Sequence, residues 1–239
     1  MNLPKEAFIT GASRGLGRGF VEVLLERGYR VFAAIRSPED FTLIHPNVVP
    51  VRLELGNAES IEEALDTVRS KAQGLSLIIN NGAIQRNSPE IGAPEKVCTL
   101  DQLTREGLLK MFEINAIAPL IVLKGLLPLL RSDPSYCINI SSARGVLYTD
   151  ETLNSSGNYG YRSSKAALAV LTMATTFDLP KHVRTFSVHP GLVKTDMNPT
   201  GNITPQQSAE KILSILDIWK PSLNGAFLRN DGVRWQLDE

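Results

Sequence analysis

Short apolar runs alternate with helix-period patterns from one end of the chain to the other. Ala7-Phe8-Ile9 is a strand ending at Thr10, and Phe20, Val21, Val23, Leu24 and Leu25 mark a mostly buried helix stopped by Gly28. Residues 29–35 read as a second strand and residues 48–55 as a third, with Val49, Val51, Leu53 and Leu55 alternating. Ser60 is expected to cap a helix whose apolar face is Ile61, Ala64, Leu65 and Val68. Residues 75–79 form a continuous apolar run, as expected of a strand buried on both faces. A long helical segment follows within 103–130, then a strand at 136–140, an Ala-rich helix at 161–179, a strand at 183–188, an amphipathic helix at 208–219 and a last short strand at 225–228. This alternation predicts an α/β fold: one doubly wound domain over residues 1–239, with a seven-stranded parallel sheet and helices on both faces.

Composition narrows the setting. The 239 residues are 43% hydrophobic, enough to bury a large core without disulfides or a metal. Lys plus Arg total 25 and Asp plus Glu total 25, so charge gives no reason to expect nucleic acid or an anionic membrane as partner. Cys137 sits in an apolar run and reads as a core thiol, while Cys98 falls in a loop. His45, His182 and His189 are scattered, so no metal site is expected. The segment from Met1 to Glu6 meets the first strand without the apolar stretch of a signal peptide. The apolar run at 114–130 is interrupted by Pro119, Lys124, Gly125 and Pro128, which favours a buried or interface helix over a bilayer span. A soluble protein of the reducing cytoplasm is the expectation.

The first strand runs into Thr10-Gly11-Ala12-Ser13-Arg14-Gly15-Leu16-Gly17, spaced TGxxxGxG. Glycines there allow a tight turn, close approach to a pyrophosphate and close packing of helix on strand. The helix that follows offers free N–H groups and the positive end of its dipole to phosphate. A strand before and a helix after favour nucleotide binding and a Rossmann-like fold over a plain glycine-rich turn. A carboxylate ending the second strand would bind the ribose hydroxyls of NAD, but Arg36 stands there, and Arg14 lies inside the turn. Glu39 and Asp40 come too late in the chain to replace it. Two guanidinium groups suit a 2′-phosphate, which points to NADP(H).

Tyr161 and Lys165 stand i, i+4 at the start of a helix and share a face. A phenol ordinarily titrates near pH 10, so acid–base work near neutrality needs about 4 kcal/mol of help for the phenolate. A neighbouring ammonium in a cleft can supply it. The spacing alone is also met by surface pairs, and Tyr159 is a nearby decoy with no lysine four residues on. Ser141 and Ser142 end the 136–140 strand, on the side where open α/β sheets bind ligands.

Taken in order, these residues resemble the short-chain dehydrogenase/reductase family over nearly the whole chain, most closely its C-factor and Sniffer carbonyl reductase branch. The motifs are the turn at 10–17, Asn80-Asn81-Gly82-Ala83, Asn115 in a long helix, Ser142, Tyr161 with Lys165, and Pro190-Gly191-Leu192-Val193-Lys194-Thr195. The resemblance implies Tyr161 as general acid/base and Lys165 as the residue that lowers its pKa and holds the nicotinamide ribose. It implies that Ser142 orients a substrate carbonyl and that Asn115 supports a proton relay. The cofactor NADP(H) would lie against Gly11, Ser13, Arg14, Gly15, Leu16 and Gly17, against Arg36, Glu54 and Leu55, and against Asn81, Gly82 and Ala83. Pro190, Gly191, Val193 and Thr195 would line its nicotinamide half. The implied substrate is a small-molecule carbonyl or alcohol, and the implied assembly a homodimer or homotetramer through the long and Ala-rich helices.

The chain departs from the family at the adenine pocket. The family's NNAG is here Asn-Asn-Gly-Ala, its Asp-Val after the third strand is Glu54-Leu55, and an aspartate at the start of the fourth strand is replaced by Ser76. The polar stretch at 144–160 is long and lies beside the expected site, as a substrate-covering loop or a plain surface insertion would. A nucleotide-binding sensor without useful catalysis is the alternative reading. An extended-type epimerase or dehydratase does not fit a chain that ends soon after the seventh strand.

Overall fold

The computed structural model describes residues 5–85, 99–146 and 157–235. Seven parallel strands run in the order β3-β2-β1-β4-β5-β6-β7: β1 (Glu6–Thr10), β2 (Arg30–Ile35), β3 (Val48–Arg52), β4 (Leu75–Asn80), β5 (Ser135–Ile140), β6 (Val183–His189) and β7 (Phe227–Arg229). The helices are α1 (Gly15–Glu26), α2 (Ala58–Lys71), α3 (Arg105–Phe112), α4 (Ala118–Leu126), α5 (Tyr159–Thr175) and α6 (Pro205–Ser214). The expected doubly wound Rossmann-like sheet is present.

Side-chain alternation along the strands divides the core in two. Ala7 and Ile9 of β1, with Val31, Ala33 and Ile35 of β2, pack on one face beneath α1 and α6. Phe8, Phe32 and Ala34 point the other way and pack beneath α2 and α4. Both faces are therefore covered, and the strands read as continuous apolar runs for that reason.

Local signals shift several boundaries. β3 stops at Arg52, and residues 53–55 leave the sheet. Asn57, not Ser60, caps α2: its side chain accepts from the Ser60 N–H at 3.0 Å, while the Ser60 hydroxyl accepts from the Glu54 N–H. α6 starts three residues before the expected 208, at Pro205, because Thr204 and Gln207 form a reciprocal capping box with proline in the first turn. The expected 208–219 helix ends at Ser214, and the last strand begins at Phe227 rather than 225. The interruptions at 114–130 do not break the helix. Arg105–Leu129 is continuous, with a π-turn at Glu113–Ile117 and Pro119 in the first turn of α4. Its 25 residues are long and apolar enough to cross a membrane by length and composition, yet half of the most apolar window is buried. Ala118, Val122, Leu123 and Leu126 pack into the core.

Two buried polar groups shape the sheet. The Glu6 carboxylate accepts from the N–H groups of Gln73 and Gly74 and pairs with Arg30 at 2.8 Å, and the Ser76 hydroxyl donates to the Glu6 carbonyl. Asn80 and Asn139 are register partners on β4 and β5. Asn80 Nδ2 donates to Asn139 Oδ1 at 2.8 Å, and Asn139 Nδ2 donates to Thr172 Oγ1 of α5 at 2.8 Å.

Candidate active site

Thr10 ends β1 with its side chain buried, and its hydroxyl oxygen accepts from the N–H groups of Asn81 (3.0 Å) and Gly82 (2.9 Å). Asn81 Nδ2 donates back to the carbonyls of Thr10 and Gly11. The glycine turn is thus fastened to the end of β4. A Cβ on Gly17 would stand 2.0 Å from the Gly11 carbonyl oxygen, and one on Gly11 would stand 2.8 Å from Gly82 Cα. The exchange of the last two motif residues is accommodated because Gly82 occupies this crossing point and Ala83 lies beyond it. Thr10→Val removes one acceptor from two amide donors and is expected to lower stability by about 1–3 kcal/mol, read as a shift of the urea midpoint.

The turn opens into a cleft of about 400 Å³ at the carboxyl ends of the strands. Every residue expected at the cofactor lines it: the 11–17 turn residues Gly11, Ser13, Arg14, Gly15, Leu16 and Gly17, together with Arg36, Glu54, Leu55, Asn81, Gly82, Ala83, Pro190, Gly191, Val193 and Thr195. Arg36 and Glu54 are exposed at its rim. Arg14, which precedes α1 in extended conformation, pairs with Asp196 at 2.9 Å. Open amide groups at the start of α1 and glycines too crowded for a side chain fit a dinucleotide phosphate in this cradle.

Ser142, Tyr161 and Lys165 line the same cleft. β5 delivers two serines with different jobs. The Ser141 hydroxyl donates to the Lys165 carbonyl at 2.9 Å and ties strand to helix, while Ser142 Oγ accepts from the Arg144 N–H at 3.2 Å. α5 carries Tyr161, half-buried, and Lys165, which is only 2% exposed. Lys165 Nζ donates to the Ile140 carbonyl at 2.7 Å and lies 5.8 Å from the centre of the Tyr161 ring. Burial pulls the Lys165 ammonium down to about 7. Tyr159 is largely exposed on the same helix and is absent from the cleft lining.

Asn115 is buried in the π-turn but does not line the cleft. Its Oδ1 accepts from the Ile84 N–H, and its Nδ2 donates to the Ile84 carbonyl and to Ser164 Oγ. The side chain ties the exit of β4 to α5 and so positions the Tyr161 turn. The cleft also takes in Gln85, Arg144, His189, Asp196, Met197 and Asn198, which the sequence reading passed over. Their one signal was position, at or just beyond the carboxyl ends of β4, β5 and β6.

The Cys137 thiol is fully buried, and burial pushes it up to about 12, as a core thiol requires. No group of three His, Cys, Asp or Glu among the described residues could hold a metal. Cys98 and most of the 144–160 stretch, at 147–156, lie outside the described residues.

A nucleotide cradle at one end of a cleft and a serine, tyrosine and buried lysine at the other define an oxidoreductase site. Residues 5–206 match the family model described as short chain dehydrogenase. The chain belongs to the short-chain dehydrogenase/reductase family. It is 31% identical to human L-xylulose reductase over 81% of its own length and 73% of that protein's. The structure superposes on NADPH-bound carbonyl reductase from chicken fatty liver with a TM-score of 0.85 and 31% identity, covering 99% of this chain and 100% of that one. The carbonyl reductase Sniffer of D. melanogaster gives 0.83 and 27%, over 98% and 100%. The protein is therefore a carbonyl-reductase-like member of the family.

Proposed function

We propose that the protein reduces a small-molecule carbonyl to an alcohol, reversibly, with NADP(H). The observation that carries this is the placement of Tyr161, Lys165 and Ser142 in one cleft with the glycine cradle. The cofactor supplies or accepts the hydride. Ser142 Oγ holds the carbonyl oxygen, and the Tyr161 hydroxyl protonates it as charge develops. Lys165 stabilises the resulting phenolate; the Ile140 carbonyl fixes where its ammonium points, and Ser141 holds its backbone. Asn115 positions α5 through Ser164, and its family role in a proton relay is carried over as part of the proposal. Arg14 and Arg36, at the adenine end, favour a 2′-phosphate. The relatives named in their own descriptions as NADPH-bound or as carbonyl reductases support this reading.

A sensor that only binds nucleotide is disfavoured by Ser142 and Tyr161, which line the cleft beside the buried Lys165 and which nucleotide binding alone would not require. Leu109, Ile117 and Ile121 on the 105–129 helix, with Val170, Met173 and Phe177 at α5, leave apolar side chains exposed, and we assign this face to a homodimer.

The test is a panel of aldehydes and ketones followed by NADPH absorbance, repeated with NADH. We expect turnover with NADPH and kcat/KM at least about tenfold lower with NADH, with Arg36→Ala narrowing the gap. NADPH binding without turnover across the panel would establish the sensor instead, and equal use of NADH would remove the NADP(H) assignment.

A further inference from the structure

Arg14 is asked to serve two anions. It lines the cleft from the glycine turn, where the NADP(H) reading assigns it to a 2′-phosphate, yet its Nη1 donates to Asp196 Oδ2 at 2.9 Å. The two side chains are 70% and 76% exposed, so the pair spans the mouth of the cleft in water. They come from opposite walls: Arg14 from the glycine turn, Asp196 from the loop after β6.

The two partners differ in freedom. Asp196 and Met197 form the tip of a tight turn, across which Thr195 and Asn198 exchange both backbone hydrogen bonds at 3.2 and 2.9 Å. Asn198 Nδ2 donates to the Val193 carbonyl, and Gln85 Nε2 donates to the Met197 carbonyl from across the cleft. Behind the tip, Gly201 packs so closely that a Cβ would lie 2.3 Å from the Lys194 nitrogen. Thr195 Cγ2 also stands 3.1 Å from the Cβ position of Gly15, which keeps the tip against the glycine turn. The aspartate is therefore fixed at the rim, while the arginine swings on a flexible stem.

We propose that Asp196 determines cofactor selectivity and residence by competing with the 2′-phosphate for Arg14. The inference rests on the NADP(H) reading above. A guanidinium that gives Nη1 to a fixed carboxylate is held in the carboxylate's geometry and has fewer donors left for a phosphate. The carboxylate also repels a dianionic phosphate beside it. Both effects weaken NADP(H) and leave NADH, which has no 2′-phosphate, untouched. Asp196 thus acts against the arginine that creates the preference. An exposed pair of this kind is weak, so the effect is modest: about two- to fivefold in affinity.

The test is fluorescence titration of the intact protein with NADPH and with NADH, comparing wild type, Asp196→Asn, Arg14→Ala and the double variant. Asparagine keeps the size of the side chain and removes its charge, and thermal melts confirm that the fold is intact. The proposal expects Asp196→Asn to lower the Kd for NADPH two- to fivefold without moving that for NADH, and to have no effect once Arg14 is alanine. Equal loosening of both cofactors by Asp196→Asn would show a clasp over the pyrophosphate and overturn it. A wild-type preference for NADPH that Asp196→Asn leaves unchanged would overturn it while sparing the NADP(H) reading. Equal wild-type affinities for the two cofactors would overturn that reading, and this proposal with it.

Discussion

Tyr161→Phe is expected to leave NADPH affinity within about twofold and to lower kcat for carbonyl reduction by about 10²–10⁴-fold. Phenylalanine keeps the ring that packs against Ile84, Met111 and Ile114 and lies beside Lys165, so fold and cleft survive the change. What disappears is the hydroxyl to which the proposed mechanism assigns protonation of the carbonyl oxygen, in the cleft that Ser142 and Lys165 also line. Steady-state turnover together with NADPH titration separates the two quantities. A variant that binds cofactor and turns over at the wild-type rate would falsify the assignment of Tyr161 as the acid.

The second large effect concerns Lys165 and pH. Its ammonium titrates at 10.5 when the chain is unfolded and at about 7 in the fold. Between those values the unfolded chain holds a proton that the native protein lacks, so stability rises with pH across that window and is level outside it. Cys137 works the other way above its ordinary value of 9.0, because its buried thiol stays neutral while the unfolded one ionises. The lysine contribution is therefore read between pH 7 and 9, where two pH units correspond to about 2–3 kcal/mol. Lys165→Met has no proton to lose, so urea unfolding should give it a flatter profile and, near pH 7, greater stability than the wild type. Its turnover, read below pH 7 where the native lysine is charged, should fall by about 10²-fold or more because the phenolate loses its cation. A variant as steep in its pH profile as the wild type would refute the assignment of that slope to Lys165.

The order of elements was legible because each carries a strong local signal. The strands β1, β2, β4 and β5 are buried on both faces and announce themselves as apolar runs, and TGxxxGxG fits only a strand-to-helix turn. Boundaries were less legible where two adjacent residues can both cap. Asn57 and Ser60 are each suitable, and the hydrogen bond between them runs in the direction that three-dimensional packing selects. The residues expected at the cofactor followed from motif order, and all of them line the cleft. Asn115 was placed by its motif, but its contacts with Ile84 and Ser164 join segments 31 and 49 residues away, a distance no local pattern spans. Asp196 carried no signal of a site, since its partner Arg14 lies 182 residues earlier.

Pairing Asn80 with Asn139 bears on how the chain avoids misalignment while it folds. The inner stretches 77–79 of β4 and 137–138 of β5 are apolar and much alike, and a parallel ladder between such segments can form in more than one alignment. Sliding β4 by one residue would set Asn80 opposite Ile138 or Ile140 and break the hydrogen bond between the two amides, leaving Asn139 only its bond to Thr172. Each lost amide hydrogen bond costs on the order of 1–3 kcal/mol, so the shifted sheet is penalised relative to the native one, in which Asn80 Oδ1 alone of the pair's four polar side-chain atoms lacks a partner among the described residues. Two polar residues in an otherwise oily interior thus contribute less to the depth of the native well than to its uniqueness.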